Sequence, residues 1–583
     1  MGKELIKDTK MKVYSIISIW LVILALIMLH YAPITGNYEI SIFSAYSIYM
    51  WIFLFSAFAM GIIIILNSSK TIWKIFGVLI TVYIDVLFLL LPFLRNYYLY
   101  GRSDVITHMA YIQEIVSTAS INLVNYYPIS HLIVVNLHLF TGLSVNTLIN
   151  IIPAFFFILY VVGLYLFAKE ITSKIAETLL VVIFGTVLIF SYYQTMFLPT
   201  QLSFDMVPLI LFLLIHAKNN TKNRTSYSIL FTIFLLMMPF LHPLTSVNLI
   251  LLIIVIIVSS IIFSFGKNDR LSFNYKDLIN PLILLLVSFI AWISSKTIFD
   301  NNIKMVYNWL VNEVGTPTID NYQDSLMSSN LGLIDVIQKI FLSFAHEFMY
   351  VGITVVALGF FVREAFKKKK LEYRMVFLTL SVITFTVLSG IFFLGSFGIS
   401  NPLREIVYVL FFCTIINGIF FFKLTHESSK RIRKYSKCFL VLLIVSSSVI
   451  GLYSSYASVS TGETNSQVTY AEFVGMNWFS DYKDPFSRTY DVDKTTRRFS
   501  DIYNGINYTK QKQWMFKTAP DHFNFTNEQG YLILNEYVIE RYSIYWPDNP
   551  YYSKDDLNNL RNNQLLDKVY DSPDTQIWEI NGI

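Results

Sequence analysis

Leu249-Ile250-Leu251-Leu252-Ile253-Ile254-Val255-Ile256-Ile257-Val258 is a run of ten residues without one polar side chain. Extended to 245–265, it matches the roughly 20 apolar residues that a helix needs to cross a bilayer. Twelve further stretches read the same way: 13–31, 42–66, 72–94, 145–168, 176–195, 203–217, 227–241, 279–299, 345–363, 374–396, 405–423 and 437–457. The composition agrees. Of 583 residues, 55% are hydrophobic and 14% charged, with mean hydropathy +0.54, whereas a soluble domain carries about 25% charged residues. A plain cytosolic enzyme is excluded. The fold expected is a polytopic α-helical membrane protein with about 13 transmembrane helices.

Charge sets the orientation. Lys367 to Lys370 and Lys430 to Lys437 are dense in basic residues, and the positive-inside rule puts them in the cytoplasm. The N-terminus is then inside and everything after Ser458 outside. Segments assigned inside hold 26 basic and 9 acidic residues, the outside loops and spans 6 and 12, and the tail from 458 holds 12 and 18. The net charge of +5 therefore averages a strongly basic inner face with an acidic outer one. No nucleic-acid-binding face is expected. Cys413 and Cys438 lie in or at the start of apolar spans, so no disulfide framework or paired-cysteine metal site follows. Met1 to Lys12 leads into a first helix that reads as retained, because Ile16 to Tyr31 lacks a small-residue cleavage site.

Three features depart from a plain bundle. The outside segment 95–144 contains two amphipathic helices, Asp104 to Ser120 and His131 to Phe140, expected along the membrane surface. The spans 203–217 and 227–241 are short for a hydrocarbon core about 30 Å thick. With Pro199, Pro208, Pro239 and Pro243 near their outer ends, they suggest broken helices around an outward cavity. The polar loop Asp300 to Phe344 reads as a mobile lid. The tail 458–583 is long enough for an extracytoplasmic α/β domain. It has a strand candidate at Tyr531 to Tyr542, a polar helix at Lys554 to Leu566, and a hairpin from Lys568 to Tyr570 and Thr575 to Ile580.

The chemistry concentrates in Gly101-Arg102-Ser103-Asp104-Val105-Ile106-Thr107-His108 and Tyr126-Tyr127-Pro128-Ile129-Ser130-His131. Asp104 and His108, four apart, share a helix face at its N-terminal end. Helix capping by Ser103 or Asp104 is the bland reading. Arg404 is the lone basic residue of the outside turn Ile399 to Glu405 and could grip a phosphate in bidentate fashion; an interfacial, snorkelling arginine is equally compatible. His242 and His131 are further polar candidates on the outer side, with hydrogen-bonded turn histidines as the alternative. Asp205 would bind substrate or cap its span. Asp85 lies at the centre of a span, where an ionisable group is costly; Tyr83 and hydroxyls of other spans could satisfy it. Glu313, His346 and Glu347 border the polar loop.

A span, a long first outside loop with an early aspartate and two surface helices, and a Tyr-Pro-x-x-His element together resemble the GT-C glycosyltransferases. So do the short middle helices and the outside C-terminal domain. The likeness covers most of the chain as architecture. It implies a core at 72–299 preceded by a two-helix addition at 1–71 and followed, at 300–457, by the loop and four further helices. It also implies an inverting transfer of sugar from a polyprenyl phosphate, dolichyl or undecaprenyl, to a hydroxyl on a glycan, lipid or protein acceptor outside the cell membrane. Asp104 matches the family's first-loop aspartate and would be the base. His108, His131, His242, Arg404 and Asp205 would surround the donor. In the oligosaccharyltransferases of this class, acidic residues hold a divalent cation, magnesium or manganese. Their Trp-Trp-Asp-Tyr-Gly motif meets Asn477-Trp478-Phe479-Ser480-Asp481-Tyr482 here, which differs in spacing and lacks the glycine, so both sequon recognition and the metal are left open. A lipid-linked glycan polymerase or ligase, a transporter or flippase, and a non-catalytic assembly factor are the alternatives.

Overall fold

A computed structural model describes residues 2–34, 36–188, 190–219, 222–262, 274–296, 304, 307, 311, 332–368, 372–395, 403–484, 486–505, 515–526, 528–547 and 549–581. Among these, 12 helices are long and apolar enough to cross a membrane. They begin with α1 (Gly2–His30), α2 (Ile48–Asn67) and α3 (Thr71–Leu94). Two shorter helices follow, α4 (Asp104–Thr118) and α5 (Pro128–Thr141), then α6 (Val145–Ile171) and α7 (Ile175–Thr186). The middle of the bundle is α8 (Pro199–Asp205), α9 (Val207–Asn219), α10 (Arg224–Leu241), α11 (Pro243–Ile262) and α12 (Tyr275–Ile293). Helices Leu333–Lys368, Tyr373–Gly395, Leu403–Phe422 and Lys430–Ser455 complete it.

The starts are chemically marked. Ser47, Ser144 and Ser429 cap α2, α6 and Lys430–Ser455 by accepting backbone N–H bonds, which satisfies donors a helix start leaves open. Gly61 and Gly77 let α2 and α3 meet backbone to backbone: a Cβ on Gly77 would fall 2.6 Å from the Gly61 carbonyl oxygen. Exposed apolar residues such as Ile52, Leu79, Val162, Ile233, Val287 and Val355 remain on the outer wall, as lipid-facing helices require.

Three expectations change. The span expected at 176–195 is α7, only 12 residues, with a tight turn further on at Ser191–Gln194. From Glu177 to Thr186 every residue is buried, so its apolarity comes from burial inside the bundle rather than from lipid contact. Of the two spans expected as short, the first is longer than its apolar core. Helices α8 and α9, separated at Met206, together run 21 residues from Pro199 to Asn219, about 31 Å at 1.5 Å per residue, whereas α10 with 18 residues is about 27 Å and remains short of the core. The polar side chains of Gln201 and Asp205 hid the length of the first from an apolar count. Finally, residues 333–344, expected in a lid, form the first turns of Leu333–Lys368. The rest of that loop lies outside the described residues apart from 304, 307, 311 and 332, and Glu313 with it.

The tail forms a five-stranded mixed sheet. Its strands are β3 (Arg488–Asp491), β4 (Met515–Thr518), β5 (Gln529–Asn535), β6 (Leu566–Ser572) and β7 (Thr575–Asn581), in the order β4-β3-β5-β7-β6. β6 and β7 are the expected hairpin. The strand expected to reach Tyr542 stops at Asn535, whose side chain caps a short helix, Glu536–Glu540. The helix expected from Lys554 ends at Asn559 and tightens over Leu560–Asn562.

This domain is tied to the bundle next to the sequence around Asp104. β1 (Leu99–Tyr100) pairs antiparallel with β2 (Gln467–Val468). Arg102 and Glu472, both nearly unexposed, form an ion pair. Arg102 also donates to the Gln467 carbonyl at 2.7 Å and lies over the Tyr537 ring. Asn535 donates to the same Glu472 at 2.9 Å.

Candidate active site

Asp104 is presented by a strained turn. Gly101 has φ +107° and Ser103 φ +58°, conformations that side chains beyond glycine adopt at a cost. Behind them, Asn150 of α6 accepts from the Tyr100 N–H at 3.0 Å and donates to the Tyr97 carbonyl at 3.2 Å, fixing the loop to the bundle. Capping does not account for Asp104. Ser103 occupies the cap position with no side-chain cap bond, and Asp104 is the first helical residue. Its side chain is 51% exposed and faces Arg498 of the C-terminal domain at 3.5 Å.

His108 and His131 meet one turn deeper, His108 Nδ1 lying 3.1 Å from His131 Nε2. The network assigns their protons. Asn125 Oδ1 accepts from the Tyr127 N–H at 3.0 Å and lies 3.0 Å from His131 Nδ1, so His131 Nδ1 carries hydrogen. His131 Nε2 is then an acceptor for His108 Nδ1–H, which leaves His108 Nε2 as a free lone pair. Burial holds both rings neutral, pulling His108 down to about 4 and His131 well below the usual range. Asp104 opposes that shift in His108, while Arg498 and Arg404 add to it. Both arginines therefore act at the His108 ring.

His242, the residue between α10 and α11, stacks on Tyr127 with ring centres 5.4 Å apart. Its Nδ1 accepts from the Thr245 N–H at 3.3 Å, so Nε2 is the protonated nitrogen, 3.0 Å from Thr200 Oγ1. Both ring nitrogens are thus engaged. Burial, then Arg404 and His108, keep this ring neutral. Arg404, at the start of Leu403–Phe422, reaches the Tyr193 hydroxyl, and its charge acts on Tyr127 and Asp104. Its Nε has no hydrogen-bond partner among the described residues. Tyr193, Gln201, His242, Asn248, Arg404 and Glu405 line one narrow cleft.

The other candidates fall elsewhere. Asp205 ends α8 rather than opening a helix; it is buried and accepts from Gln201 at 2.7 Å, behind the cleft. Asp85 is fully buried in α3, and neither oxygen has a hydrogen-bond partner among the described residues, so the hydroxyls expected to satisfy it do not. His346 is buried against Ser454. Among the described residues no three His, Cys, Asp or Glu side chains converge as metal ligands would. Asp104 faces a cation instead of a second carboxylate.

Several residues of the site were not singled out from sequence. Thr107 donates to Asp501 at 2.7 Å, and Arg498 lies 3.5 Å from both Thr107 and Asp104. Arg497-Arg498 is a basic pair in an acidic tail, which was a usable signal. Nothing local connects it to Asp104, 394 positions away.

No family model and no curated protein matches the sequence. Among solved structures, the chain is similar to the arabinofuranosyltransferase AftD from mycobacteria, with 9% identity and a TM-score of 0.47. The match covers 87% of this chain and 41% of that one, so the chain spans about two-fifths of that enzyme's length.

Proposed function

We propose that the protein is a membrane glycosyltransferase of the GT-C kind, moving a sugar from a polyprenyl phosphate to a hydroxyl acceptor at the outer membrane face. The observation that carries the reading is the placement of Asp104: an exposed carboxylate on a strained turn, not used as a cap, within the field of Arg404. In the proposed reaction the acceptor oxygen attacks the anomeric carbon. The bond to the phosphate oxygen breaks and the phosphate keeps the electron pair. The acceptor proton passes to Asp104, as a general base requires. A phosphate leaving group needs no strong acid, which suits a site whose histidines are held neutral. Arg404 would hold the phosphate, His108 Nε2 would accept a sugar hydroxyl, and His242 would position Tyr127.

The test is sugar transfer in membranes supplied with polyprenyl-phosphate sugars. Asp104→Asn is expected to lower transfer at least about 100-fold with normal membrane insertion; undiminished transfer would sink the assignment of the base.

A further inference from the structure

Two adjacent arginines of the C-terminal domain behave differently. Arg497 closes a two-pronged contact on Asp491, at 2.7 and 2.9 Å. Arg498 touches Asp104 and Thr107 only at 3.5 Å, well beyond the 2.7–2.9 Å usual for a charge-assisted bond. Both partners of that loose pair are accessible, 42% exposed for Arg498 and 51% for Asp104. Such a pair is weak. Its surroundings are firm, because Thr107 is anchored to Asp501, which is 4% exposed. A displaceable guanidinium thus sits on a well-fixed frame.

We infer that Arg498 is a phosphate-binding latch on Asp104, so that the anion site is shared between the bundle, through Arg404, and the C-terminal domain, through Arg498. This rests on the lipid-phosphate reading above. A phosphate offers a guanidinium two parallel bonds and more charge than one carboxylate, so its arrival draws Arg498 off Asp104. While Arg498 lies against the Asp104 carboxylate, an acceptor hydroxyl has to compete for the same oxygen, and the departure of Arg498 leaves that oxygen open. Asp104 then takes the acceptor proton only when the donor phosphate is in place, and the departing phosphate keeps its electron pair between the two arginines. Acceptor activation is thereby coupled to donor binding.

The probe is farnesyl phosphate, titrated onto the full chain in detergent, with farnesol as the uncharged control. Arg498→Ala is expected to weaken binding about tenfold or more, and Arg498→Lys by less. Asp104→Asn, which removes the competitor for Arg498, is expected to tighten binding several-fold even though transfer is lost. The double variant should bind no tighter than Arg498→Ala. Binding that weakens in Arg404→Ala but is unchanged in Arg498→Ala and Asp104→Asn overturns the inference and leaves the donor reading standing. Equal losses in Arg498→Ala and Arg498→Lys, without tightening in Asp104→Asn, make Arg498 a docking contact and also overturn it. Wild-type protein that binds farnesyl phosphate no better than farnesol overturns the reading and the inference together.

Discussion

Neutral, buried imidazoles next to a charged group set a pH limit on this protein. An unfolded histidine titrates near 6.5, while burial lowers the folded value of His108 to about 4 and lowers His131 as well. The unfolded state therefore binds more protons below about pH 6.5. Stability is complete above that value and is lost as pH falls toward 4. Melting temperatures in detergent should drop over this window, and His108→Gln should flatten the drop. Equal slopes for the two proteins would remove His108 from the account. Both histidines were singled out in the residues quoted from the loop, but neither their contact nor their proton assignment was legible there. That required Asn125, whose amide oxygen is fixed as an acceptor by the Tyr127 backbone.

At the level of elements, the turn before α4 decides where Asp104 points. A Cβ on Gly101 would lie 2.5 Å from Val105 Cγ2, at a φ of +107°. Gly101→Ala is expected to cost about 1–3 kcal/mol and to reduce transfer by misplacing Asp104, measured as lost activity in membranes with unchanged protein level. The neighbouring Arg102 holds the C-terminal domain. Its partner Glu472 is almost fully buried, so Arg102→Ala strands a charge and is expected to destabilise by about 3–5 kcal/mol. Earlier release of the domain in limited proteolysis would register this. Helices α4 and α5 were legible within a few residues, because their apolar faces have helical spacing. The extent of α8 and α9 was not, since buried Gln201 and Asp205 look like an interruption when only apolar residues are counted.

For the whole molecule, the basic ends of the helices and the C-terminal domain should lie on opposite sides of the membrane. The two native cysteines make this testable: Cys413 is buried and Cys438, beside Lys437, is exposed. A membrane-impermeant thiol reagent should spare Cys438 in intact cells and label it after permeabilisation, while Ser572→Cys on the hairpin should react in intact cells. The reverse pattern would invert the orientation and move the candidate site to the cytoplasmic face.

Hydropathy and charge by themselves determined that the chain is a helical membrane protein and where most of its helices run, and local pattern marked a C-terminal region with strands. Those properties arise from transfer free energy and local periodicity, which are written along the chain. Only the tertiary structure decided that α7 is buried, that Asp85 has no hydrogen-bond partner among the described residues, and that Arg498 faces Asp104. Each depends on which side chains meet after the chain has folded back on itself. A contact between positions 394 residues apart leaves no periodic trace in sequence.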